Sequence, residues 1–181
     1  MNYSIQNNNI RRWALGLLLP YSAVLFSYPY LSLDWLLRVC FWEPATWHED
    51  IWVHPEAVIS LTTRWVFFGV WLPVVLFGLW CLFSGGRLLW LLQKGVVFDA
   101  RVAQLLMSLG SGLITNALCT MLAGSLSPMI RSWHNPEGAM PLRFWYTTEL
   151  GGLILCGLAF LMVAAIMRES IRISRENEGF I

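Results

Sequence analysis

The residue types best suited to chemistry in this chain are its three histidines, two of which flank acidic residues in His48-Glu49-Asp50-Ile51-Trp52-Val53-His54, with His134 far downstream. Imidazole and carboxylate together are the ligand set of zinc and related metals. The zinc-protease arrangement places two histidines four residues apart on one helical face with a glutamate between them. Here His48 and His54 are six apart, about 240° around a helix of 3.6 residues per turn, and so would point to different sides. A non-helical loop could still gather them, which makes His48, His54 and His134 the candidate metal ligands. The expectation, however, is solvated loop histidines with no bound metal and no other cofactor.

No other constellation has catalytic spacing. Cys81, Cys119 and Cys156 fall within or at the end of apolar runs and Cys40 in a loop. The spacing fits no zinc or redox motif, so they read as small packing residues. No histidine falls inside an apolar run, which leaves a membrane haem without axial ligands. The runs also lack the Asp, Glu, Lys or Arg of proton relays and ion pathways. Glu149, at the start of the last run, reads as a carboxylate favoured by the helix dipole. Enzyme activity, active transport and conduction are not expected.

Four stretches without a charged residue must position whatever the loops carry: Trp13 to Leu33, Trp65 to Gly86, Val102 to Ile130 and Leu150 to Met167. Each is long enough to cross a hydrocarbon core about 30 Å thick. Hydrophobic residues make up 57% of the 181 and charged ones 13%, against about 25% charged in soluble domains. The formal charge of +1 offers no basic field for nucleic acid. The fold class expected is all-α, a single polytopic membrane domain with spans at about 13–33, 65–86, 102–126 and 148–168. Arg11 and Arg12 could open a signal peptide, but Pro20 and Pro29 interrupt the run and no Ala-x-Ala-like site follows, so it reads as a retained span.

Orientation follows from the basic residues. With both termini inside, eight of the twelve (Arg11, Arg12, Arg87, Lys94, Arg101, Arg168, Arg172 and Arg175) are cytoplasmic, and Arg38, Arg64, Arg131 and Arg143 are outside. The positive-inside rule favours that N-in/C-in threading of an antiparallel bundle. Outer loops then occupy 34–64 and 127–147, an inner loop 87–101 and a cytoplasmic tail 169–181. In the tail, Arg168, Arg172 and Arg175 form one stripe and Arg172 can pair with Glu176. Three basic residues fall short of the clusters of about four to eight that recognise anionic lipids.

Within the spans, Pro20, Pro29 and Pro73 should bend helices. Ser108 with Gly112, and Gly152 with Cys156, are small residues four apart, which suggests close packing of spans three and four. Asn116 should face the interior, bonded to another polar group. Pro128 is expected to break the third run and leave 125–130 as an interfacial segment. Gly85 and Gly86 either end the second helix, leaving Arg87 to Lys94 along the interface, or lie within a helix that continues to Lys94; continuation is favoured.

The first outer loop holds Trp35, Trp42, Trp47 and Trp52 among acidic residues. Such tryptophans commonly form a belt at headgroup level. They also suit a binding surface, since aromatic anchors dominate interface energetics. The candidate partner-binding set is therefore Trp42, Trp47, His48, Glu49, Asp50 and Trp52.

Gln93-Lys94-Gly95-Val96-Val97-Phe98-Asp99-Ala100-Arg101-Val102, leading into Ala103-Gln104-Leu105-Leu106, resembles the signature of the small bacterial four-span proteins grouped as domain of unknown function 2975. The charged ending from Met167 to Ile181 is similar to that family's ending. Gly95 permits a tight turn, Phe98 can re-enter the interface and Asp99 can cap the next helix. The resemblance implies four spans and a bacterial cytoplasmic membrane, and no enzyme activity. The functional expectation is a non-enzymatic inner-membrane protein that binds a protein partner, at the outer face or within the membrane. A regulatory role or an immunity role against a toxin suits that description by analogy. The alternative is a small-molecule site, for a lipid or quinone-like ligand among aromatics or for the loop metal.

Overall fold

A computed structural model describes residues 3–42, 47–48 and 52–178. Within them the chain is all-helical: α1 (Tyr3–Leu37), closed by a π-helical turn (Arg38–Trp42), then α2 (Leu61–Gln93), α3 (Ala100–Arg131) and α4 (Thr148–Glu178). All four helices are long and apolar enough to cross a membrane. At 1.5 Å per residue the 33 residues of α2 reach about 50 Å, so the ends extend past a hydrocarbon core.

Where large and small residues sit points to lipid as the solvent. The interior of α3 is built from Gly110, Gly112, Ala117, Ala123 and Gly124, whereas Phe26, Leu155 and Met162 are 78%, 69% and 63% exposed. In water so much outward apolar surface would drive association. In a bilayer, small residues at the contacts let backbones approach, which is how such helices hold together.

Packing runs between sequence neighbours, α1 on α2, α2 on α3 and α3 on α4. Each interface has its own device. The Tyr28 ring of α1 lies against Gly78 of α2, and Tyr21 lies against Gly85 and donates to the Leu82 carbonyl. Gly85 and Gly86 are therefore tyrosine seats inside a continuous helix, in keeping with the favoured expectation for that segment. Between α2 and α3 runs a series of polar bonds. Trp71 Nε1 donates to Ser127 Oγ at 3.0 Å, Asn116 Nδ2 to the Val74 carbonyl at 2.7 Å, and Trp80 Nε1 to Ser108 Oγ at 3.0 Å. Asn116 thus finds its partner on the neighbouring backbone.

Helices α3 and α4 do pack closely, but through other residues than the small pairs of the sequence pattern. A Cβ on Gly110 would stand 2.7 Å from the Gly157 carbonyl oxygen, and one on Gly157 2.8 Å from that of Gly110. Gly112 instead faces Cys81 and Trp80 of α2, Gly152 has nothing within 4 Å and Cys156 is exposed. Two residues is about 200° of helix, so Gly110 and Ser108 face opposite neighbours.

The turn chemistry is local. Gly95 takes φ 78°, with its N–H on the Leu92 carbonyl and that of Val96 on Leu91, a Schellman closure of α2. Asp99 then caps α3 by accepting from Arg101 N at 2.7 Å. Pro128 does not break α3, which continues to Arg131. Ser132 ends it, donating to the Pro128 carbonyl and accepting from Met140 N, both at 2.7 Å.

Candidate functional site

The loops joining α1 to α2 and α3 to α4 meet over the start of α2 and the end of α3. Their keystone is Trp47. It is fully buried, its ring centroid is 5.1 Å from that of Phe67, and its Nε1 donates to the Val39 carbonyl at 2.6 Å. Val39 belongs to the π-helical turn, whose start is braced by an Arg38–Asp34 ion pair at 2.8 Å. The Arg131 guanidinium lies 5.3 Å from the Trp47 ring and 5.7 Å from Phe67. Leu36, Cys40, Val53, Ala57 and Ile59 complete this core. The described residues of the loop thus pack onto the helices, and Trp47 is structural where the sequence offered it as a binding residue.

Side chains sew the two loops together. Asn135 donates from Nδ2 to the Trp52 carbonyl at 2.9 Å and accepts from His54 N at 3.0 Å. His134 Nε2 is 2.8 Å from Thr63 Oγ1 and 3.2 Å from Ser60 Oγ, the residue that caps α2. His54 Nδ1 accepts from Glu56 N at 3.3 Å. His48 is exposed, and Glu49 and Asp50 lie outside the described residues. Among the described residues no three metal-ligating side chains come together, so His48, His54 and His134 are not gathered into one centre. His134 and Asn135 act instead as clamps between loops, a role that nothing in their spacing signalled.

Two features remain for binding. The first is a half-open cleft of about 490 Å³ walled by Trp35, Trp52, Phe67, Trp71 and Trp145, with Ser127 and Arg131 supplying polarity. Trp35 and Trp71 meet edge to face at 5.3 Å. The second is the segment before α4. Ser125 Oγ accepts from Trp145 N at 2.9 Å, and with the Ser132–Met140 bond this fixes the backbone on both sides of Leu142 and Phe144, with Tyr146 the next residue beyond the second bond. Those three are 64%, 80% and 56% exposed. Trp42, from the first loop, is also exposed, and Trp52 is half-buried with the Arg143 guanidinium 4.8 Å from its ring.

The Thr63 and Ser60 hydroxyls within hydrogen-bond distance of His134 Nε2 belong to the capped start of α2. The arrangement can bind, through aromatic faces and a guanidinium. Far from it, past the last apolar run, Arg172 bonds Glu169 at 2.5 Å and Glu176 at 3.3 Å. The hydrogen bond from Arg172 holds the Glu169 carboxyl below its usual range. Comparison with family models, characterised proteins and solved structures gives no match for this chain.

Proposed function

We propose that this protein is a non-enzymatic bacterial inner-membrane protein that works by binding a protein partner at its outer face. The reading takes the four helices as an antiparallel bundle with both termini cytoplasmic. The distribution of basic residues supports that orientation, and the motifs around Gly95 and the tail support kinship with the domain of unknown function 2975 proteins. An immunity or regulatory role is the specific form of the proposal.

The observation that carries it is the pinned segment presenting Leu142 and Phe144, with Tyr146 directly after it. Aromatic residues on a backbone already fixed lose little entropy on binding, which is the character of interface anchors. Deleting residues 40–56 is a poor test, because it would also remove Trp47 from the core. The better test places a photo-crosslinking residue at 144 in intact cells and compares Phe144→Ala/Tyr146→Ala by pull-down in mild detergent. A discrete protein adduct is expected, with recovery of that protein falling about 30-fold, a hot-spot effect of roughly 2 kcal/mol. Adducts to lipid alone would make the segment an aromatic belt and end the proposal.

A second reading has its own support in the tryptophan-walled cleft with Arg131 and Ser127, which suits an anionic amphiphile or a quinone-like ring. Native mass spectrometry from nanodiscs tests it; a ligand retained by the parent and lost from Trp35→Ala is the expected sign.

A further inference from the structure

Residues 87–101, spanning the end of α2 and the start of α3, and the tail of α4 each carry three basic residues, a number too small by itself to recognise an anionic lipid. Folding brings the two sets together. Gln104 of α3 lines a cleft of about 710 Å³ with Arg87 and Arg101, and on its other side a cleft of about 490 Å³ with Arg168, Arg172 and Arg175. Counting Lys94, which sits over the Trp90 ring at 3.5 Å, this end reaches the cluster size associated with anionic headgroups. Arg172 is neutralised by Glu169 and Glu176, whereas Arg87 and Arg101 make no ion pair among the described residues.

The larger cleft is amphipathic along its length. Arg87 and Arg101 stand towards its mouth with Trp90 on their outer side, and its walls descend through Phe83 and Leu105 to Trp80 and Ser108. Trp80 precedes Arg87 by seven residues on α2, and Ser108 follows Arg101 by seven on α3. Both walls therefore run about 10 Å inward from the charges. At the floor Trp80 Nε1 and Ser84 Oγ are bonded to Ser108 Oγ, at 3.0 and 3.2 Å. The floor thus asks nothing polar of an occupant, while the mouth carries two positive charges. A free phosphate would leave the aromatic walls unused.

We infer that this α2–α3 groove holds an anionic glycerophospholipid, its phosphate between Arg87 and Arg101 and one acyl chain along Phe83, Leu105 and Trp80. Under the orientation proposed above it is a lipid of the cytoplasmic leaflet. The site itself does not depend on orientation, so its test in detergent is separable from that reading.

The experiment offers dioleoylphosphatidylglycerol and dioleoylphosphatidylcholine to the purified full chain in non-ionic detergent and reads retention by native mass spectrometry. Phosphatidylglycerol should bind at least about tenfold more tightly. In Arg87→Gln/Arg101→Gln its affinity should fall about 25-fold, two surface arginines at roughly 1 kcal/mol each converted at 1.4 kcal/mol per decade. Arg87→Lys/Arg101→Lys should keep most of it. Equal retention of the two lipids by the parent overturns the inference, and does so even if the glutamine variant fails to fold. So does unchanged affinity in a folded glutamine variant, or displacement of the lipid by excess inorganic phosphate, which would mark a phosphate site.

Discussion

Gly157→Ala and Gly152→Ala make the same substitution five residues apart on α4, and the structure assigns them opposite signs. At Gly157 the new Cβ would stand 2.7 Å from Ile114 Cγ1 and 2.8 Å from the Gly110 carbonyl oxygen. Ordinary contact lies near 3.5–4.0 Å, so α3 would have to retreat by roughly 0.7 Å or more. A backbone carbonyl cannot swing aside, and overpacking of this kind costs about 1–3 kcal/mol. The alanine returns at most about 1 kcal/mol of helix propensity. Even with the full return, the net is a destabilisation of up to about 2 kcal/mol. Gly152 has nothing within 4 Å, which leaves only the propensity gain, between zero and about 1 kcal/mol. Reversible unfolding in mixed micelles of increasing dodecyl sulfate fraction, followed by tryptophan fluorescence, measures both. Gly157→Ala at least as stable as Gly152→Ala would refute the close approach of α3 and α4 through Gly110 and Gly157. Gly110→Ala meets the same carbonyl pair, so the double variant should cost less than the sum of its parts.

Other expectations follow from single contacts. Trp47→Phe keeps a ring against Phe67 but loses the bond to the Val39 carbonyl, and should cost about 1 kcal/mol plus the packing of the smaller ring. Its signature is faster proteolysis within the first loop while the helices remain protected. Gly95→Ala must adopt φ 78° with a Cβ present, and should lose about 1 kcal/mol in the same unfolding assay. Asn116→Leu removes the bond to the Val74 carbonyl, whose membrane value averages about 0.6 kcal/mol; a loss above about 2 kcal/mol would mean that Asn116 does more than join α2 to α3.

What could be read from the sequence was local or periodic. The four helices follow from uncharged runs, and the Gly95 turn and Asp99 cap from residues whose backbone chemistry acts within a few positions. Facing was harder to read. α3 has a neighbour on each side and carries small residues on both faces, so the spacing of Ser108 and Gly112 could not say which helix they meet. Pro128 misled because a proline near a helix end can be held by its surroundings, here by Ser132 and the segment bonded to Ser125. The role of Trp47 was hidden for another reason. A tryptophan in a polar loop looks the same in sequence whether it caps a core or faces a headgroup, and only the Val39 carbonyl and the Phe67 ring decide it.

Gly95 and Asp99 close the connection between α2 and α3 at both ends, so these two helices form a unit joined by one short turn. The bond from Asn116 to Val74 and that from Trp80 to Ser108 need no other helix, so both can form before α4 has been synthesised. Within that pair the Asn116 amide N–H and the Trp80 indole N–H are already bonded, which lowers the cost of setting an asparagine in hydrocarbon.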